Sequence, residues 1–202
     1  VAGMLPNDCG IMESRPFRAP HHTMSSVALA GGGTVPMPGE VSFSHNGVLF
    51  LDELPEFNKL VTETLRQPLE DGQITVSRAG GRYTFPARFM LVCAMNPCKC
   101  GYYGHRNKKC TCSESDRKKY LSKISGPLLD RIDIQIEVPS LSYREISAGK
   151  AAESSADIRA RVVKTREYMK ERCAQTDKKL GDQLEHTPLK NADMTSAQVR
   201  KY

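Results

Sequence analysis

The chain contains no apolar run long enough to cross a bilayer, and its amino end lacks the basic-then-apolar pattern of a secretory leader. Both absences point to the cytoplasm and to a protein without a membrane partner. No internal repeat or low-complexity tract interrupts it, which excludes a solenoid or a linker-like chain. Nowhere does Gly-x-x-x-x-Gly-Lys-Ser/Thr occur, so these residues encode no backbone nest with a lysine for β- and γ-phosphates. The run Gly31-Gly32-Gly33 is no substitute: no Lys-Ser or Lys-Thr follows it and no helix opens there, so it reads as a flexible insertion. An initiator methionine is missing at Val1, and Met194 to Tyr202 reads as an opening helix that Thr195 or Ser196 would cap. The expectation is a fragment of a longer protein, in which an absence can belong to the fragment alone.

What is present bounds the answer further. At 202 residues the chain can bury one sizeable core without staples and begin a second, smaller domain. Lysine and arginine number 29 against 23 acids, a net +6 that is compatible with a polyanion such as ATP or nucleic acid but does not require one.

The most informative run is Gly47-Val48-Leu49-Phe50-Leu51-Asp52-Glu53-Leu54, where four apolar residues lead straight into two carboxylates. A short apolar run without alternation suits a strand buried on both faces of a parallel sheet. Ligand chemistry in open α/β sheets sits at the carboxyl ends of strands, which suits Asp52 to holding Mg²⁺ and Glu53 to orienting or deprotonating a water. A solvated acidic turn after a buried strand is the plainer alternative.

Around this run the pattern predicts a short helix near Ser25 to Ala30. An amphipathic helix through Phe57, Leu60, Val61, Leu65 and Leu69 is closed by Gly72. Gln73 to Ser77 and Tyr83 to Phe85 read as a hairpin around Gly80, with Arg78 and Arg82 near its tip. Phe89 to Met95 reads as a second buried strand ending at Asn96, Ser115 to Ile124 as a short helix, and Ile134 to Val138 as a third strand stopped by Pro139. Ser154 to Arg172 reads as a helix with the stripe Ile158, Val162, Met169 and Cys173, opened by Ser154 and Asp157; Thr176 to Asn191 is loop-like. The adjacent His21 and His22 are either metal ligands or, more simply, hydrogen-bonding and packing elements.

Cys98-Lys99-Cys100 and Cys110-Thr111-Cys112 stand nine residues apart, with Gly101, Gly104 and a basic loop between. Paired thiolates on a tight knuckle suit a structural Zn²⁺, with Cys98, Cys100, Cys110 and Cys112 as ligands and Lys99, Arg106, Lys108 and Lys109 softening the charge. Free thiols, disulfides, or His105 in place of one cysteine are the alternatives. Cys9, Cys93 and Cys173 are isolated, and Cys93 reads as a small buried hydrophobe.

The stretch from Arg15 to Val138 resembles the AAA+ ATPases of the helix-2-insert branch, and most closely the magnesium-chelatase-like YifB/ComM family. The resemblance rests on Arg15-Pro16-Phe17-Arg18-Ala19-Pro20-His21-His22-Thr23, Pro38-Gly39-Glu40, and His45-Asn46-Gly47 through Asp52-Glu53-Leu54-Pro55-Glu56-Phe57. Further on it rests on Asn96-Pro97-Cys98, Cys100-Gly101-Tyr102-Tyr103-Gly104 and Ser125-Gly126-Pro127-Leu128-Leu129-Asp130-Arg131-Ile132-Asp133. It implies an α/β fold of the AAA+ P-loop NTPase type: a parallel sheet flanked by helices, truncated at both ends, with β-hairpin and cysteine-rich insertions. Residues 1–140 would be a partial core without its Walker A strand and loop, and 141–202 the beginning of a helical lid.

The same resemblance implies roles. Asp52, in the Walker B motif, would hold Mg²⁺ of bound ATP, Glu53 would be the catalytic base, and Asn96 the sensor of the γ-phosphate. An amide suits that sensor because it donates to a phosphate oxygen and accepts from water at once. Arg131 would be an arginine finger reaching a neighbouring subunit's nucleotide, its planar fork suited to charge spread over phosphoryl oxygens. Without the resemblance, Asn96 reads as a turn residue and Arg131 as a salt-bridge partner of Asp130 or Asp133. The hairpin would project into the pore of a ring, so that Arg78 and Arg82 contact DNA or else only keep an edge strand soluble. The implied protein is an ATP-hydrolysing motor working on DNA by branch migration or unwinding, as a homo-oligomer, in number a hexamer; this stretch alone is expected to be inactive. The alternatives are a motor subunit for Mg²⁺ insertion into porphyrin and a zinc-bearing nucleic-acid-binding module without ATPase.

Overall fold

The computed structural model describes residues 14–78, 81–141, 147 and 153–180. The chain separates into two compact units, Val1–Ser140 and Leu141–Tyr202. In the first, β1 (Phe17–Arg18) is followed by α1 (Ser26–Ala30), the antiparallel pair β2 (Gly31–Gly32) and β3 (Met37–Pro38), and α2 (Glu40–Phe43). Next come β4 (Val48–Leu51), a 3₁₀ turn (Leu54–Glu56), α3 (Lys59–Glu63) and α4 (Arg66–Asp71). A hairpin of β5 (Gln73–Arg78) and β6 (Gly81–Pro86) leads to β7 (Met90–Cys93), α5 (Glu114–Leu121) and α6 (Gly126–Leu129).

The central sheet is three parallel strands in the order β1-β4-β7. Gly47 sets the approach of the first two: a Cβ there would lie 1.9 Å from the Pro16 carbonyl oxygen, the same oxygen that accepts the Val48 N–H at 2.8 Å. Leu49 and Leu51 are wholly buried, and Leu29 of α1, Val41 of α2, Val61 of α3, and Leu54, Leu65 and Leu128 pack into the same core. Each such aliphatic side chain contributes about 1.5–3 kcal/mol by leaving water.

Burial of β4 on both faces is corrected. Val48 and Phe50 are half-buried, and the residues beside them in register, Phe17, Met90 and Val92, are exposed, so among the described residues helices cover one face of the sheet. The second predicted strand is the sheet's edge and shares that open face. The helix through Phe57 to Leu69 is two helices, with Leu60 67% exposed. Pro68 explains the break: it has no N–H to give the Thr64 carbonyl, and it is tolerated because the interruption puts it in the first turn of α4. Gly72, left-handed at φ 65°, ends α4 as expected.

Ile134 to Val138 is also corrected. It joins no ladder among the described residues, and Ile134, Ile136 and Val138 are exposed, because strand propensity without a cross-strand partner or a covered face does not hold a strand. In the second unit α7 (Ser155–Leu180) is capped by Ser154, whose Oγ accepts the Asp157 N–H at 3.2 Å. It runs through Thr176 to Leu180, which the sequence assigned to a loop, because nothing in that polar stretch breaks a helix. The remainder of Thr176 to Asn191, the opening helix at Met194 to Tyr202, Cys9, the Cys173 side chain and the hairpin tip at 79–80 lie outside the described residues.

Candidate functional site

β4 delivers Asp52 and Glu53 to the carboxyl edge of the sheet. Asp52 Oδ1 accepts the Glu53 N–H at 2.8 Å, and Glu53 takes left-handed backbone angles (φ 53°, ψ 45°) before the buried Leu54 and Pro55 anchor the 3₁₀ turn. Such angles cost a glutamate about 1 kcal/mol, which the Leu54 N–H bond to the Ala94 carbonyl (3.0 Å) and the burial beneath offset.

Because β1 runs parallel to β4, the loop that follows it reaches the same edge. Arg18 Nε and Nη2 both donate to the Glu40 carboxylate at 2.6 Å, and this pairing raises the Arg18 pKa. The loop then presents His22, whose Nδ1 lies 3.3 Å from Glu53 Oε2 and whose ring meets Phe57 edge-on (6.3 Å) and His21 at 4.1 Å. Ala19, Pro20, His21, His22, Phe50, Asp52 and Glu53 line a cleft of about 430 Å³. Its donor set fits the oxygen preference of Mg²⁺, since Asp52 has one carboxylate oxygen beyond the one bound to the Glu53 amide. It holds no lysine and no backbone nest for phosphates.

The other predicted residues are placed differently. Asn96 follows β7 at the same sheet edge and is exposed, but it does not line the cleft. Tyr120 is tied to its backbone: burial first, then the Glu56 carboxylate, pushes the phenol's pKa up, and the Asn96 amide opposes the rise. Arg131 also stands outside the cleft lining, bonded to the Glu70 carboxylate of α4 and the Pro127 carbonyl of its own chain. Its partner is therefore neither Asp130 nor Asp133. Arg82 is exposed on β6 opposite Ser77, and the Arg78 side chain lies outside the described residues.

The four cysteines come together. All four Sγ atoms lie within 4.8 Å of one another, with Cys98–Cys100 at 3.3 Å, Cys100–Cys110 at 3.5 Å and Cys98–Cys110 at 3.7 Å. A tetrahedral ion with bonds of about 2.3 Å needs sulfur–sulfur edges of about 3.8 Å, so this donor set fits one. The Cys100 thiol is held down to about 5, first by the Tyr102 and Thr111 backbone amides. None of the four is in a disulfide. His105 is no ligand here, because its Nδ1 accepts the Asn107 and Lys108 N–H groups at 3.0 and 3.1 Å. Cys93 is separate, and burial pushes its thiol up to about 12, as suits a small hydrophobe.

Sequence reasoning missed His22 as the partner of Glu53 and Glu70 as the partner of Arg131. The signal for His22 was its place after a strand parallel to β4, which only the pairing reveals. Glu70 carried none, being separated from Arg131 by 61 residues.

A model of the family "Magnesium chelatase, subunit ChlI" matches residues 1–146. The competence protein ComM of Haemophilus influenzae is 50% identical over 176 residues, 85% of this chain and 34% of that protein. YifB of Salmonella typhimurium is 45% identical over 177 residues, 86% of this chain and 33% of its own length, and YifB of Escherichia coli is 48% identical over 157, 76% and 30%. The chain thus spans about a third of the length of these relatives. The solved structure of NtrX from Brucella abortus in complex with ADP is similar with a TM-score of 0.46 and 18% identity, covering 66% of this chain and 28% of that one. No helix among the described residues is long and apolar enough to cross a membrane. On the family match and these relatives, the chain belongs to the magnesium-chelatase-like AAA+ family, with ComM and YifB among its relatives.

Proposed function

We propose that the intact protein is a cytoplasmic ATP-hydrolysing motor that works on DNA as a ring of identical subunits, by branch migration or unwinding. The observation that carries this reading is Glu53, held in left-handed backbone beside Asp52 with its carboxylate against His22, over an open cleft. Bound Mg²⁺-ATP would supply the polarised phosphoryl group, with the metal held through Asp52. Glu53 takes the proton of the attacking water. His22 orients the Glu53 oxygen, and Asn96 donates to phosphate while accepting from the water. Arg131 serves as the finger once it exchanges Glu70 for a phosphoryl oxygen, and residues 141–202 begin the lid. The phosphate nest is not among these residues, so turnover belongs to the intact protein. Arg78 and Arg82 are placed on a hairpin that suits backbone contact with DNA. Cys98, Cys100, Cys110 and Cys112 hold a structural Zn²⁺.

The family's name supports a second reading, a motor subunit for Mg²⁺ insertion into porphyrin. The relative named a competence protein favours the DNA reading. Turnover by the full-length protein with single-stranded DNA, forked DNA or porphyrin decides between them: the DNA reading expects stimulation by DNA, and stimulation by porphyrin alone overturns it. Glu53→Gln is expected to cut kcat at least about 100-fold with ATP binding kept. Unchanged turnover refutes the base assignment, whereas absence of turnover by the unaltered full-length protein leaves a nucleic-acid module without ATPase.

A further inference from the structure

The net charge of this chain is not spread over it. Residues 98–123 hold eight lysines and arginines against two acids, a surplus equal to the +6 of all 202 residues, so the rest of the chain is electrically balanced. Both acids are already engaged. Glu114 pairs with Lys118 at 2.7 Å, and Asp116 caps α5 through Ser113. Four thiolates around a divalent ion would still leave this stretch about +4.

Two tyrosines sit within this charge. Tyr103 is 51% exposed with the Arg117 guanidinium 4.4 Å from its ring centre, and Arg117 Nη1 in turn donates to the Cys112 carbonyl at 3.1 Å. Tyr102 is 38% exposed, with Lys108 Nζ 4.8 Å from its ring centre and the His105 ring edge-on at 5.8 Å. Half-exposed aromatic rings backed by cations have no packing role in the core. They are what a stacked base and its phosphates would need: a flat apolar face with positive charge around it.

We infer that the cysteine loop and the first turns of α5 form a binding surface for single-stranded nucleic acid, with Tyr103 stacking a base on the ring face opposite Arg117 and Lys99, Lys108 and Lys109 meeting phosphates. The surface deepens the proposed work on DNA by naming where an unpaired strand lies. A duplex hides its base faces, so the stacking contribution belongs to single strands, and the four sulfurs bring both ends of the loop together.

The test is fluorescence anisotropy of labelled dT20, rU20, a 20-base-pair duplex and heparin with the full-length protein, without nucleotide, across a salt series. Tyr103→Ala is expected to weaken dT20 about tenfold and leave heparin unchanged, while Tyr103→Phe keeps the affinity. Lys108→Ala with Lys109→Ala should lower the magnitude of the salt slope by about 1.4. Equal weakening of dT20 and rU20 supports a surface blind to the sugar, and weakening of one alone assigns the strand to DNA or to RNA. Unchanged dT20 binding by Tyr103→Ala, or equal losses for heparin and dT20, overturns the stacking surface. Glu53→Gln is expected to bind dT20 as the unaltered protein does, so a failed ATPase assignment is distinguishable from a failed binding surface.

Discussion

The strand end carrying Asp52 and Glu53 and the loop carrying the four cysteines both follow strands of one sheet, yet different forces hold them. Beneath the carboxylates lie Leu49, Leu51 and Leu54, almost wholly buried, so ordinary apolar burial can afford a glutamate in left-handed backbone. The cysteine loop buries little besides Cys98, and the zinc proposed for its sulfurs, three pairs of which stand 3.3 to 3.7 Å apart, would take the place of a core. A site at a strand end inherits rigidity from the sheet, whereas an irregular basic loop must bring its own crosslink.

Removing each support in turn should separate the two regions. Leu49→Ala is expected to cost about 3 kcal/mol or more in global stability, seen in urea unfolding of the full-length protein, because it opens a cavity under both carboxylates. If the cluster holds the proposed zinc, mass spectrometry should find one ion per chain in the unaltered protein and none in Cys100→Ser, with faster amide exchange in residues 98–112 and that of β4 unchanged. Exchange that rises equally in both regions would show that one cooperative unit contains them. At the carboxylate edge, His22→Ala is expected to lower kcat about tenfold with KM for ATP little changed, and His22→Asn to restore part of it, since an amide can still donate to Glu53. A purely structural role would lower folded fraction and spare kcat per folded molecule.

The smallest effect concerns His45, which links the segments that lead into β4 and β7. Its Nδ1 accepts the Arg88 N–H at 3.0 Å, and burial first, then the Arg88 charge, lowers its pKa below the usual 6.5. A depressed folded pKa means that the unfolded chain takes the proton first, so the stability contributed is complete above pH 6.5 and lost as pH falls through the lower folded value. Urea midpoints should therefore decline slightly below pH 6.5, and His45→Asn should flatten that decline.

The order of parts was legible because it is local. Leu49-Phe50-Leu51-Asp52-Glu53 announces a strand and its acidic end, Ser25 and Gly72 mark helix boundaries, and the doubled Cys-x-Cys announces a cluster. Where sequence reasoning erred, it assumed a neighbour. Ile134 to Val138 has strand propensity but no ladder partner among the described residues, and Met90 and Val92 are apolar yet lie on the sheet's uncovered face.

The family, the chemistry of the donors and the concentration of positive charge in 98–123 could be read directly from residue types and spacings, because these are written in the chain. Tertiary structure alone decided that His22 meets Glu53 across 31 positions, that Arg131 is held by Glu70, and that Arg117 backs Tyr103. The first two depend on parallel strand register and helix placement, which arise from burying the shared core around Leu49 and Leu51 and from no local signal at either partner, and the third on the fold of the cysteine loop against α5.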